Sequence, residues 1–145
     1  MIRVAAFDPR DLQAMTVQEA QPELIDAPVY HARQLAATGR CFTARDRHGA
    51  VLFCGGALET HPRYATMWAA LSPHAGSAML ALTRRVRWFA ASLPHERVDA
   101  LVRASHRAAH RWMAMLGFVR EAELGVYFAD GEDAVIYRLV RGDTR

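Results

Sequence analysis

Lysine is absent from the 145 residues, and all 18 basic side chains beyond histidine are arginine. The pattern has the look of a coding bias, but it sets a chemical limit. Any anion this chain holds meets backbone N–H groups, histidine or the planar guanidinium fork, never an ammonium point charge. Cysteine is nearly as scarce, with Cys41 and Cys54 alone, which excludes a disulfide scaffold and supplies too few thiolates for a zinc site. Glycine (9) and proline (6) are too few, beside 52% apolar residues, for a collagenous or disordered chain. No apolar run approaches the length of a membrane span. Met1-Ile2-Arg3-Val4 gives way to polar sequence by Asp8, so no secretory leader is read and the cytoplasm is the expected compartment. There is no Gly-Lys-Ser/Thr step and no set of three spaced glycines, which removes the two commonest nucleotide-binding loops. An excess of +3, with arginines dispersed along the chain, argues against a nucleic-acid module.

What is present reads as one mixed α/β domain over 1–145. Ile2–Phe7 is short and apolar enough for a strand. Asp8 then caps a helix opened by Pro9 and running from Arg10 to about Thr16. A second helix is expected over Ala27–Thr38, closed by Gly39. Cys41–Arg45 and Ala50–Cys54 flank a hairpin turn at Asp46-Arg47-His48-Gly49. With Asp46 facing Gly49, the register sets Cys41 opposite Cys54; a cross-strand disulfide fits there, although free thiols are expected. Gly55-Gly56 marks a bulge or a close backbone approach, after which the strand resumes through Glu59. Tyr64–Leu71 is a further strand. A helix follows over Ser77–Ser92, with Met79, Leu80, Leu82, Val86, Phe89 and Ala90 on its buried side. Val98–Val102 (strand), Arg107–Leu116 (helix ended by Gly117), Phe118–Glu121, Val126–Ala129 and Ala134–Val140 (extended) complete the order. Trp68, Trp88 and Trp112 lie in apolar elements and are expected in the core.

The most informative loop is Ser72-Pro73-His74-Ala75-Gly76-Ser77, where a strand turns directly into a helix N-terminus. Unpaired N–H groups and the helix dipole favour an anion at such a point, and Gly76 allows close approach. A plain capped helix start accounts for the same residues, and both readings stand. His106 and His110 share a helical face, but no third ligand has suitable spacing and no Glu lies between them in a zinc-helix pattern, so no metal is expected. Arg107 and Arg111 are four apart and face either an acidic partner or water.

The segment from Ser105 to Glu121, through Ala109, Leu116, Gly117, Phe118 and Glu121, resembles the GNAT superfamily of N-acetyltransferases. The likeness extends to the order of elements from Ile2 to Val140. It implies a single-domain α/β fold whose central sheet is mixed, mostly antiparallel, flanked by helices and splayed between its fourth and fifth strands. It implies acetyl-CoA as co-substrate and a primary amine, of a small molecule or a protein, as acceptor. On this resemblance Trp68, Ala69, Ala70 and Leu71 line the pantetheine arm. His74, Ala75, Gly76, Ser77 and Ala78 form the pyrophosphate loop, with Arg84 as a phosphate contact and Ser105 at the cofactor. Glu59 is the candidate base, raised by burial, with His61 as its competitor; His106 is the candidate proton donor or cofactor contact. No nucleic-acid or membrane partner is implied, and a homodimer is admitted.

Two positions depart from the family pattern. Pro73 stands where the loop usually begins with Arg or Gln, and Met113 stands where many members carry a proton-donating Tyr. The run His110–Phe118 with this degraded loop is also similar to acetyltransferase-like proteins of phage and prophage. An active acetyltransferase and a catalytically weakened or inactive protein that keeps the fold, with a CoA-binding or structural role, are therefore both carried forward.

Overall fold

The structure is a computed structural model that describes residues 1–15 and 39–141. The helix expected over Ala27–Thr38 and the end of the first helix at Thr16 fall outside the described residues. The elements are β1 (Arg3–Ala6), α1 (Pro9–Ala14), β2 (Gly39–Arg45), β3 (Val51–His61), β4 (Tyr64–Leu71), a single 3-10 turn (Gly76–Ala78), α2 (Met79–Ser92), β5 (Arg97–Arg103), α3 (Arg107–Met115), β6 (Phe118–Leu124) and β7 (Ala134–Leu139). One seven-stranded sheet runs in the order β1-β2-β3-β4-β5-β7-β6. The pairs β1/β2, β2/β3, β5/β7 and β6/β7 are antiparallel, while β4 and β5 are parallel, as a helical crossover between neighbouring strands requires. The expected mixed, mostly antiparallel α/β sheet flanked by helices is the fold found.

By packing, the chain forms two compact units, Met1–Glu59 with Met67–Leu82, and Thr60–Thr66 with Thr83–Arg145. In the first, Asp8 caps α1 and exchanges capping-box bonds with Asp11. Asp11 is itself buried and accepts from Thr43 Oγ1 at 2.8 Å and Arg45 Nη2 at 2.6 Å. Those bonds offset the cost of a buried carboxylate and tie α1 to β2. Leu12, Met15, Cys54 and Ala70 form a buried cluster with Phe7, Val51 and Trp68 against it. Phe7 meets Trp68 edge-on, ring centroids 5.5 Å apart.

The β2/β3 hairpin corrects the expected register. Ala50 pairs with Asp46 instead of Gly49, because Gly49 sits at φ +86° as an extra left-handed residue in the turn. A second shift lies between Ala44 and Arg45. Together they slide the strands so that Cys41 faces Gly56 and Cys54 faces Thr43, and the two are not joined in a disulfide. Against β2, Gly55 and Gly56 stay in register with Phe42 and Cys41. A side chain on Gly56 would come within 2.1 Å of the Arg40 carbonyl and 2.6 Å of Cys41 Cα, so the glycine is there for close approach.

In the second unit Val98, Ala100 and Val102 are buried on one face of β5. The alternate Asp99 is also buried, at 1% exposure, and is fully engaged: Tyr64 Oη donates to it at 2.7 Å, Thr66 Oγ1 at 2.8 Å and Arg97 Nη2 at 3.4 Å. Burial, ahead of the Asp99 contact, holds the Tyr64 phenol above its usual pKa. Trp112 is buried, its indole N–H on Thr83 Oγ1 at 2.9 Å. Arg141 closes the end of α2, donating to the carbonyls of Ala90, Leu93 and His95.

Three expectations fail here. Trp88 is 60% and Leu80 64% exposed instead of buried. At 100° per residue they share the outward side of α2 with Arg84 and Arg87, while Leu82, Val86, Phe89 and Ala90 point inward; Arg85 covers the Trp88 ring at 4.5 Å. Val126–Ala129 is a turn: β6 runs on to Leu124, and Val126 then takes φ +50°, which ends an extended strand.

Candidate functional site

In the first unit β4 leads into the loop singled out from sequence. Strand alternation fixes which backbone groups face where. The Trp68 carbonyl lies against Gly55 of β3, and the Ser72 N–H donates to Leu52 of β3 at 2.9 Å. Ala69 and Leu71, at odd positions between them, therefore turn their N–H and C=O groups away from β3. The Trp68 side chain packs in the cluster under α1. Its indole nitrogen is buried without a regular hydrogen bond, and its neighbour is the Cys41 sulfur. Trp68 and Ala70 thus turn their backbone towards β3, and Ala69 and Leu71 towards the opposite side of β4.

Ser72 is buried and builds the loop. Its Oγ accepts the His74 N–H at 3.1 Å, and its carbonyl accepts the Ala75 N–H at 3.2 Å. Ala75 is buried and accepts the Ala78 N–H at 2.9 Å, and the Met79 N–H goes to Gly76. No hydrogen bond among the described residues uses the N–H of Gly76 or Ser77, and both residues are exposed. Space above Gly76 is open: a Cβ built there meets nothing within 4 Å. Neither the 3-10 turn nor the first turn of α2 carries an acid. Two amides without a hydrogen bond among the described residues, open space, helix polarity without a carboxylate and the exposed His74 beside them are the features that an anion would use. A phosphate fits those residues; the exposed Pro73 contributes no donor.

The remaining sequence-derived residues are distributed as follows. Glu59 is exposed on β3 instead of buried as the expected base. His61 is exposed too, its Nδ1 accepting the Arg63 N–H at 3.1 Å. Arg84 points outward from α2, more than a turn beyond the helix start. His106, half-buried, is the N-cap of α3, and its imidazole makes no capping bond. Ser105 directs both its N–H and its hydroxyl to Glu132. His110 has both ring nitrogens engaged, Nδ1 with Tyr137 Oη at 2.6 Å and Nε2 with the Ala104 carbonyl at 2.9 Å. The described residues hold no cluster of metal-ligating side chains. Met113 is buried core. Sequence reading missed Asp99, Arg103 and Glu132. Asp99 and Arg103 sit in an otherwise apolar strand, a weak signal of buried charge; Glu132 follows an Asp-Gly turn and reads only as loop.

No protein-family model matches the sequence, and no curated protein matches it. The fold, by contrast, recurs among solved structures of N-acetyltransferases. A candidate phosphinothricin N-acetyltransferase superposes with a TM-score of 0.75 at 14% identity, covering 99% of this chain and 100% of that one. The ribosomal-protein-S18-alanine N-acetyltransferase of Escherichia coli gives 0.70 at 21% identity, covering 100% and 99%. The spermidine/spermine N-acetyltransferase of Vibrio cholerae gives 0.65 at 18% identity, covering 95% and 91%. The chain therefore shares the fold of these N-acetyltransferase structures. No helix among the described residues is long and apolar enough to cross a membrane.

Proposed function

We propose that this protein is an acetyl-CoA-dependent N-acetyltransferase acting on a primary amine. The observation that carries the reading is the pair of outward amides at Gly76 and Ser77 beneath open space, at the end of β4 in this fold. Those amides, with His74, would hold the diphosphate, and Trp68–Leu71 of β4 would run beside the pantetheine arm. Bound there, acetyl-CoA supplies an acyl thioester open to attack by a neutral amine. Of the chain's own groups, Glu59 is exposed and able to accept the amine proton through water. His106, the N-cap of α3, is the candidate to return a proton. The acceptors named for the structural neighbours are as unlike as spermidine and a ribosomal-protein alanine, so the fold supports amine transfer without choosing among amines.

The exposed Pro73 and buried Met113 favour a second reading, a protein that keeps the fold and binds CoA without efficient turnover. Calorimetric titration with acetyl-CoA separates the cases. Heat of binding that Gly76→Val weakens at least tenfold, with Tm held within about 2 °C, supports the cradle; about 1.4 kcal/mol corresponds to that factor. Absence of heat and of any thermal shift at millimolar ligand overturns both readings. Binding without acetylation of an amine panel selects the second.

A further inference from the structure

Two surfaces of the second unit carry opposite charge, and each exposes large apolar side chains. One is the outward side of α2 from Thr83 to Ser92, a stretch with three arginines and no acid. Trp88 is 60% exposed there, with the Arg85 guanidinium 4.5 Å from its ring centroid. Arg84 and Arg87 flank it on the same side, both exposed, and neither guanidinium has a hydrogen bond or ion pair among the described residues. An exposed tryptophan set among arginines has the composition of an interface core.

The other surface is the tip of the β6–β7 hairpin. Residues 125–133 hold three carboxylates and no base. Arg103 answers one of those charges, through Asp130 at 2.9 Å and Glu132 at 3.0 Å. Asp133 is exposed and meets no cation among the described residues. The tip is therefore left negative. On it Val126 is 77% and Tyr127 48% exposed. Val126 takes φ +50°, a left-handed conformation that a β-branched residue holds only under constraint. The constraint is a set of named bonds. Val126 N–H donates to Asp133 Oδ1 at 2.8 Å, and the Tyr127 and Phe128 N–H groups both donate to the Glu132 carbonyl, at 3.1 and 3.0 Å. The Phe128 ring meets Tyr127 edge-on at 5.1 Å and lies 4.0 Å from the Arg103 guanidinium. Val126 and Tyr127 are thus held outward in one arrangement, which lowers the ordering cost of docking them.

We propose that these two surfaces bind one another between copies of this chain. The Val126–Tyr127 tip of one copy docks beside Trp88 of a second, its carboxylates facing Arg84 and Arg87, and the second copy returns the contact in a two-fold pair. Every copy carries one of each surface, so a reciprocal pair leaves neither uncovered. Opposite charge gives the contact its specificity and makes it salt-dependent. The pairing does not depend on the acetyltransferase reading.

The test is sedimentation of the full chain from about 1 µM to about 1 mM, the range that weak specific contacts occupy. The wild type should pair at low salt, with a Kd at least tenfold higher in about 0.5 M NaCl. A monomer at every concentration overturns the proposal, as does a pair indifferent to salt. Arg84→Glu with Arg87→Glu reverses the helix charge. Glu123→Arg with Ala129→Arg and Asp133→Asn reverses the hairpin, and the asparagine oxygen still accepts the Val126 N–H. Each variant alone should weaken pairing at least tenfold with Tm within about 2 °C of wild type, and an equimolar mixture of the two should pair again. A mixture that stays monomeric overturns the proposal, as does either variant pairing as tightly as wild type. A second measurement needs no variant. Trp88 is the exposed indole beside half-buried Trp68 and buried Trp112, so acrylamide quenching of tryptophan emission should fall as the wild type passes from monomer to pair. Quenching unchanged while a pair forms places the contact elsewhere and overturns the proposal.

Discussion

Asp99→Ala removes the one acceptor that two hydroxyls and a guanidinium share. Thr66 Oγ1 uses Oδ1 and Tyr64 Oη uses Oδ2, and Asp99 is 1% exposed, so water does not replace the lost oxygens without rearrangement. Arg97 keeps Glu121, at 2.6 Å, and is the least affected partner. Breaking one side of a buried charged network costs about 3–5 kcal/mol, a large part of the roughly 5–15 kcal/mol that holds a domain of this size. At about 3 °C per kcal/mol, Tm should fall by roughly 10 °C. Asp99→Asn keeps one oxygen and an amide that a hydroxyl can accept from, so it should cost about half as much. Tyr64→Phe should cost about 1.5–3 kcal/mol alone and clearly less in the Asp99→Ala background, because the two share one bond. Urea unfolding of these four variants beside the wild type supplies the numbers. A loss below about 1 kcal/mol for Asp99→Ala, or full additivity with Tyr64→Phe, refutes the network.

Three further outcomes are expected. Gly56→Ala meets backbone at 2.1 Å and should lose about 3 kcal/mol or fail to fold, whereas Gly76→Ala meets nothing within 4 Å and should stay within about 0.5 kcal/mol of wild type in the same urea titration. The Glu132 carboxyl lies at about 2 in the folded protein against an ordinary 4.5; a depressed folded pKa gives stability that is whole above 4.5 and lost as pH falls towards 2. Glu132→Gln should therefore flatten the decline of Tm between pH 4.5 and 2, and an unchanged slope refutes the assignment. Burial pushes the Cys54 thiol to about 12 and raises Cys41 as well, so a disulfide reagent at pH 8 should modify both slowly in the native protein and rapidly in urea. Fast native labelling that Cys54→Ser abolishes contradicts the buried placement.

Local chemistry made much of this legible from residues alone. Asp8-Pro9 set the start of α1, alternation set β5 and β7, Gly117 ended α3, and the strand–loop–helix order around Gly76 was read correctly. These are signals carried by a few adjacent side chains and their backbone preferences, which act whatever the rest of the chain does. What sequence left undecided depends on residues far apart. A left-handed glycine and a bulge moved the hairpin register and separated the expected cysteine pair. Helical phase alone did not say that Leu80 and Trp88 face water, because apolar type does not reveal whether a neighbour covers it. The burial of Asp99 and the engagement of Ser105 rest on bonds across 33 to 35 and 27 positions. The sequence by itself determined most of the described elements and their order, and marked the Gly76 turn as a place where an anion could sit or a helix simply begin. Tertiary structure alone decided which polar groups are already spent on one another and which are left facing open space, since that balance is struck between segments that no local pattern brings together.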